Sequence, residues 1–299
     1  MKSFDFNKLI ELEDRTCLSS DSSSAEISKP LDLIFWMDSQ KADIPLNELL
    51  SRGLVKSETI KSDTFKLLQN NMNMSSSSLY RAGNLKSNEK REVVLLTWQA
   101  IINKKAKEIS SNICEFQRDN ITKETINSIA KLSNEPCNIS NLKKVLGSLG
   151  IILIIEKAFQ GLGIDGLVYR TSRGNPVLAM SLRYDRYDNF WFTLCHELAH
   201  IHLHYELLDD VIIEDLDEDN KNEIENEADY LASIAIVDRR AWRSFNLAKF
   251  PTEENLYRAS EVTGIHPIIL AGKLRNELKN YKLFVNLVHS IKPSEILEL

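Results

Sequence analysis

Four of the chain's six histidines lie in one segment, which reads WFTLCHELAHIHLHYE from Trp191 to Glu206. In a helix, His196 and His200 are four residues apart on one face, so both imidazoles can reach one cation. Zinc accepts histidine nitrogens at about 2.0–2.1 Å. Glu197 is offset by one residue and can hydrogen-bond a water on that cation as a general base. The spacing therefore predicts a hydrolytic zinc site of the kind that zinc peptidases use.

A pattern this short also occurs by chance in surface helices, so its surroundings decide between the two interpretations. The two variable positions, Leu198 and Ala199, are apolar and small, as in a packed helix. The segment follows a predicted β-hairpin, and a carboxylate-bearing helix is predicted after it. These features favour a metal site over a solvated, histidine-rich helix.

The later helix is predicted from the segment NKNEIENEADYLASIAIVD, which begins at Asn220. Glu225 and Asp229 are four residues apart and share a face, so we predict that Glu225 is the third ligand and that Asp229 hydrogen-bonds a ligand imidazole. Glu227 is the alternative third ligand, and Glu223 is expected in solvent. An apolar face suited to packing on the first helix is formed by Ile224, Ala228, Leu231, Ala232 and Ala235.

The remaining candidates near the motif have two interpretations each. His204, one turn beyond His200, is predicted to support the ligands or touch substrate, with a purely structural histidine as the alternative. His202 faces away from the metal. Cys195 is expected to be a packed thiol rather than a redox group that blocks the metal. Three tyrosines are candidates for stabilising an oxyanion, or for ordinary packing: Tyr169, Tyr184 and Tyr205.

The elements that position these residues follow from hydrophobic patterning. We predict strands at Ile151–Ile155, Gly166–Arg170 and Pro176–Leu182, the last two forming a hairpin around an SRGN turn. Asp188 is a plausible N-cap for the motif helix. The fold class is therefore α+β: mostly helical, with a small three-stranded sheet packed on the motif helix of a minimal zincin-like domain. We expect Val177–Leu182 to be an exposed edge strand that holds an extended peptide.

The first half of the chain is predicted to be helical and interrupted by loops. Residues 1–85 are assigned to an N-terminal helical and linker region, which includes the Ser-rich stretch 17–30, and residues 86–299 to the peptidase domain with C-terminal helices. Helical patterns are predicted at 46–50, 64–72, 86–114, 123–133 and 139–149.

Composition limits the class of protein. The chain is 43% hydrophobic and has no apolar run near the ~20 residues of a membrane helix. The N-terminus lacks the apolar core of a signal peptide, so a cytoplasmic location is expected by default. Four scattered cysteines indicate reduced, mostly buried thiols. Residues 1–150 carry 21 basic and 19 acidic side chains, and residues 151–299 carry 16 and 24, which argues against a nucleic-acid surface on the second half.

Two separated segments resemble the ImmA/IrrE family of metallopeptidases, namely FWFTLCHELAHIHLH and IENEADYLASIAIVDRRAW. The resemblance covers roughly residues 90–285 and includes TGIHPIILAGKLRNE, similar to a closing helix-turn-helix segment. It implies that His196, His200 and Glu225 are ligands and that Glu197 is the base. Related chains often begin with a repressor-type DNA-binding domain, but residues 1–45 show none, so DNA binding is not predicted.

The sequence thus predicts a zinc endopeptidase. The resemblance implies that its substrate is a regulatory protein, a repressor or antitoxin encoded nearby, in a stress, phage-related or defence operon. Two imidazoles and one carboxylate suit zinc best, with manganese or iron as alternatives. The other class of function is a non-proteolytic regulator that keeps the zincin fold and acts by contact. A pure scaffold has no need of Glu197 as a base, which favours the enzyme. No membrane partner is expected.

Overall fold

The computed structural model describes residues 37–38, 43–72, 89–208, 212–213 and 223–299. The predicted Ser-rich stretch at 17–30 lies outside these residues. Across the described residues, no helix has the length and apolar character needed to span a membrane.

The sheet contains the three predicted strands and a short fourth. Strand β1 spans Ile152–Ile155, β2 Gly166–Arg170, β3 Pro176–Met180 and β4 Ile212–Ile213. Their order is β1-β3-β2-β4. β2 and β3 are antiparallel and form the predicted hairpin, β1 runs parallel to β3, and β4 is antiparallel to β2. The α+β fold class is confirmed.

The prediction of an exposed edge at Val177–Leu182 is wrong. β3 lies between β1 and β2, and all five of its residues are buried. β1 pairs with it in parallel, with Leu153 opposite Leu178. A continuous apolar strand is typical of the interior of a sheet, whereas an edge strand carries polar residues. The sequence PVLAM thus matches the observed central position.

Helices make up most of the fold. Those before the sheet are α1 (Leu46–Ser51), α2 (Ile60–Met72), α3 (Glu89–Ser110), α4 (Lys123–Lys131) and α5 (Leu142–Ser148). The motif helix α6 (Tyr187–Leu203) follows β3, and α7 (Glu223–Ile236) follows β4. The remaining helices are α8 (Arg239–Ser244), α9 (Glu253–Thr263), α10 (Pro267–Glu277), α11 (Val285–Val288) and α12 (Pro293–Ile296). Short 3₁₀ turns occupy Ser57–Thr59, Arg118–Asn120, Leu132–Asn134, Pro136–Asn141 and Tyr205–Leu207.

Both faces of the sheet are covered by helices. Alternate residues of a strand point to opposite faces. Leu153 and Ile155 therefore join one hydrophobic cluster with residues of α6, while Ile152 and Ile154 join a second cluster with residues of α3. This arrangement explains why IILII has no polar position.

Helix α6 lies at the centre of the first cluster. It packs against α7, α10 and α4 and against strands β2 and β3. The predicted N-cap is wrong: Arg186 occupies that position without a side-chain cap, and Asp188 sits inside the first turn. Asp188 instead binds the Arg186 guanidinium through both oxygens, at 3.0 and 2.6 Å.

The first helices pack on the same body as the sheet. Leu49 of α1 and Leu67 and Leu68 of α2 belong to the second cluster. The Arg52 guanidinium, just after α1, reaches the Glu156 carboxylate at 3.2 Å. The domain division at residue 85 stays a prediction, and these contacts show that α1 and α2 share the core of the residues that follow.

Candidate metal centre

Three potential ligand atoms converge between α6 and α7. His196 Nε2 lies 2.9 Å from His200 Nε2 and 3.1 Å from Glu225 Oε2, and His200 Nε2 lies 3.4 Å from the same carboxylate oxygen. Ligands bound to a tetrahedral cation at about 2.0–2.1 Å would lie about 3.3 Å apart. The two imidazoles are nearly inaccessible, with side-chain exposures of 2% and 1%. The cluster could hold a metal ion, and its donor set fits zinc.

The close packing of α7 on α6 brings the carboxylate to the imidazoles. The α7 face toward the core carries Ala228, Ala232 and Ala235, all fully buried. Small side chains let two helix backbones approach closely. Glu225, one turn before Ala228, is thereby placed against both histidines.

The charges at the centre are set by burial and by these contacts. Burial pushes the pKa of Glu225 upward, but hydrogen bonds with His196 and His200 outweigh it and hold the pKa at about 2. Burial lowers the pKa of His200, against the opposing effect of Glu225. At neutral pH the site therefore offers a carboxylate and a neutral His200 imidazole, the protonation states that bind a metal.

Two further carboxylates of α7 contact His196 in α6 and His204, which directly follows α6. Asp229 Oδ1 lies 3.0 Å from His196 Nδ1, on the opposite edge of the ring from Glu225. Glu227 Oε2 lies 3.0 Å from His204 Nε2, and His204 Nδ1 lies 3.2 Å from His200 Nδ1. The structure thus puts Glu225, rather than Glu227, against the imidazole pair. Glu223 is exposed.

Glu197 is buried beside the sheet, with 1% of its surface exposed. Its carboxylate presses against Gly166 at the start of β2, where an added Cβ would overlap Oε1. The side chain of any other residue would displace the carboxylate. The role of Gly166 is not predicted by patterning along the sequence, because the contact joins residues far apart in the chain. A glycine inside a predicted strand was the available signal, since it often marks a close approach.

The neighbouring residues have structural partners. Cys195 is completely buried, and burial raises the pKa of its thiol to about 12, so it is a packed thiol as predicted. His202 Nδ1 lies 2.5 Å from the Ile121 carbonyl oxygen. Of the described cysteines, Cys114 and Cys137 are exposed, so the expectation of mostly buried thiols is wrong.

Two of the tyrosine candidates contact residues away from the three ligands, whereas Tyr184 lines a cavity together with His196. Tyr169 belongs to the cluster on the far side of the sheet from α6. Tyr205 donates its hydroxyl to the Gly174 carbonyl at 2.7 Å. Tyr184 is 42% exposed. Odd and even strand positions face opposite ways, and this places Tyr169 away from the motif helix.

The family comparison agrees with this geometry. A family model described as an IrrE N-terminal-like domain, Peptidase_M78, matches residues 151–274. Comparisons with curated proteins and with solved structures return no significant match. The matched range begins next to β1 and ends inside α10, so it includes the sheet, the motif helix and the helix that carries Glu225. Residues 151–274 are therefore similar to the IrrE N-terminal-like domain of this metallopeptidase family.

Proposed function

We propose that the chain is a zinc-dependent endopeptidase that cleaves a regulatory protein, a repressor or antitoxin encoded near its own gene. The observation that carries this proposal is the convergence of His196, His200 and Glu225 within 4.8 Å of one another, with Glu197 in the same helix turn. The family match supports a peptidase-type domain, and the nature of the substrate follows from the resemblance to ImmA/IrrE proteins.

Each residue has a distinct role in the proposed reaction. A zinc ion held by the three ligands would polarise the scissile carbonyl and lower the pKa of a nearby water. Glu197 accepts the proton of the attacking water and then donates it to the leaving amine. Asp229 holds His196 through Nδ1, so that Nε2 faces the other two ligands. Manganese and iron remain alternatives to zinc, and elemental analysis of protein purified without added metal would distinguish them.

The test is co-expression with each protein encoded nearby, comparing wild type with Glu197→Gln. Glutamine keeps the size of the side chain and removes the base. We expect a neighbour to be cut by wild type and cleavage to fall by about 100-fold or more with the variant, the usual contribution of acid–base catalysis. Mass spectrometry of the products measures both. Glu261→Gln, at an exposed position of α9, is the matched control.

The outcomes separate the enzyme from a regulator that acts only by contact. Equal cleavage by wild type and Glu197→Gln would remove Glu197 from the mechanism. A neighbour that co-purifies with both versions and is cut by neither would favour the contact regulator.

A further inference from the structure

A cavity of about 790 Å³ lies beside the imidazole of His196. His196 and Asp229 form part of its wall, and α10 contributes Lys273 and Arg275. The proposed hydrolysis does not use these two cations. They are therefore positive groups next to the metal centre that have no assigned role.

Arg275 is a buried cation whose hydrogen-bonding capacity is only partly used. Only 4% of its surface is exposed. Nη2 donates to the Tyr281 carbonyl at 2.6 Å, whereas Nε and Nη1 are buried without a hydrogen-bond partner among the described residues. An unsatisfied buried donor is costly, and more so on a charged group. An acceptor oxygen of a ligand placed against either nitrogen would relieve part of this cost.

Lys273 is the second cation in the wall. Its Nζ donates to Ser233 of α7 and lies 5.4 Å from the centre of the Trp242 ring. Burial lowers the pKa of Lys273, and Glu277 opposes that shift. Within the described part of the chain, no carboxylate oxygen forms an ion pair with Nζ. The positive charge is therefore not neutralised by direct contact.

Among the described residues, three of the four carboxylates that line the same cavity have other partners. Asp188 binds Arg186 through both oxygens, and Asp229 contacts His196. Glu277 accepts a hydrogen bond from Trp242 Nε1 at 2.6 Å. An ionised Asp165 carboxylate would repel a bound anion. Burial raises the pKa of this carboxyl, against the effect of Arg183, which weakens that repulsion.

The position of α10 is fixed by a close approach to α6. A Cβ on Gly272 would overlap the Asp188 carboxylate, so this glycine lets α10 lie against the Arg186–Asp188 pair. Lys273 and Arg275 follow directly and are held in the cavity wall as a result. Their placement depends on packing rather than on a surface loop.

We propose that this cavity is a carboxylate-binding subsite that receives an acidic side chain of the polypeptide substrate. Charged hydrogen bonds between cationic N–H groups and a carboxylate are stronger than neutral ones, and Arg275 and Lys273 supply two cations to the same cavity wall. Because His196 lines the cavity, an acidic side chain bound there would lie close to the scissile bond at the proposed metal site. The assignment to a substrate rests on the proposed peptidase function, whereas carboxylate binding itself does not.

The first experiment measures carboxylate binding without any cleavage. The probe is N-acetyl-L-glutamate α-methylamide, titrated into the zinc-loaded full chain carrying ¹⁵N-labelled tryptophan. Trp242 lines the cavity, so its indole signal reports occupancy. We expect a saturable shift with the glutamate probe and none with the glutamine analogue. Lys273→Met should weaken binding about tenfold or more, the usual effect of losing a charged hydrogen bond.

Lys249→Met is the matched control, because Lys249 is exposed beside Phe250 and does not line the cavity. It should leave the affinity unchanged. Equal binding of the glutamate and glutamine probes overturns the proposal, as does a Lys273→Met affinity equal to that of wild type. A probe that binds to zinc rather than in the cavity would bind Lys273→Met and wild type with equal affinity.

The second experiment profiles cleavage of a random peptide library by mass spectrometry. Wild type should enrich aspartate or glutamate at one fixed position near the scissile bond, and Lys273→Met should lose that preference. If the glutamate probe binds in the first experiment and cleavage shows no acidic preference, the cavity takes a free carboxylate and the substrate assignment is overturned. If wild type cleaves nothing, the peptidase proposal fails, while the first experiment still decides carboxylate binding.

Discussion

The position of the Glu197 carboxylate is set by the motif helix and by Gly166. This carboxylate is buried, and in the proposed mechanism it accepts a proton from a water within its reach. The helix fixes it one residue from His196, and Gly166 fixes its distance from the sheet. At the residue scale, the glycine matters as much as the glutamate, because it sets where the carboxylate can lie.

Gly166→Ala tests this directly. The added methyl group must displace the Glu197 carboxylate, and a displacement of about 1 Å can cost about 100-fold in rate. We expect kcat to fall by that order while zinc affinity changes less than about threefold, since His196, His200 and Glu225 are not in contact with the new group. Substrate cleavage and competition with a metal chelator give the two values.

Gly147→Ala is the control, because a Cβ there has no neighbour within 4 Å and its backbone is helical. It should retain wild-type rates. A Gly166→Ala protein as active as Gly147→Ala would show that the Glu197 carboxylate tolerates a different position.

The residues of the centre were largely predictable because their relationships are local. The four-residue spacing of His196 and His200, and that of Glu225 and Asp229, is a property of any helix. The spacing favoured Glu225 over Glu227 as the third ligand. The choice itself depends on how α7 is rotated against α6, which the sequence does not show. Gly166, Lys273 and Arg275 were not predicted, because their contacts depend on how distant segments pack.

At the scale of elements, the centre is the contact between two helices. Asp229 holds His196, Glu225 meets His196 and His200, and Glu227 meets His204. Carboxylates of α7 thus meet imidazoles along the second half of α6 and at His204, which directly follows it. The ligand geometry depends on the register between these two helices.

Asp229→Asn should weaken zinc binding by about 10- to 100-fold, the usual effect of removing a carboxylate that supports a metal-bound histidine. The amide keeps the shape of the side chain but not the charge that raises the basicity of His196. Competition with a chromogenic chelator measures the affinity. Glu223→Gln, on the same helix but exposed, should leave it unchanged. An unaltered affinity in Asp229→Asn would mean that the contact with His196 Nδ1 does not support metal binding.

The sheet shows what sequence patterning can and cannot predict. Its three longer strands and the hairpin followed from apolar runs and an SRGN turn. The strand order did not follow from these patterns, because β1 pairs in parallel with β3, and β2 lies between them in the sequence. Pairing of this kind leaves no local signal, and only the absence of polar residues in PVLAM indicated a central strand.

At the scale of the whole molecule, the peptidase core and the first helices share buried surface. The second cluster receives Ile44, Leu49, Val55, Leu67 and Leu68 from residues before the predicted division at residue 85. Burial of a large aliphatic side chain contributes about 1.5–3 kcal/mol. These helices therefore stabilise the far face of the sheet that carries Gly166.

A fragment of residues 86–299 should be less stable than the full chain by about 5 kcal/mol or more, because those five apolar side chains are lost from the cluster. Urea denaturation followed by circular dichroism measures the difference in free energy of unfolding. A dye that binds exposed apolar surface should bind the fragment and not the full chain. Matching urea midpoints would instead support an independent domain that begins near residue 86.

The packing of α6 against α7 also affects how the protein tolerates a break in its backbone. Asn127 of α4 donates to the Ala235 carbonyl of α7, and α6 packs against both α7 and α10. Helix α7 is thus anchored by its neighbours as well as by its covalent connection to α6. A single backbone break between the two helices would leave two fragments that stay bound to each other, and the nicked protein would still bring donors from both pieces to one ion.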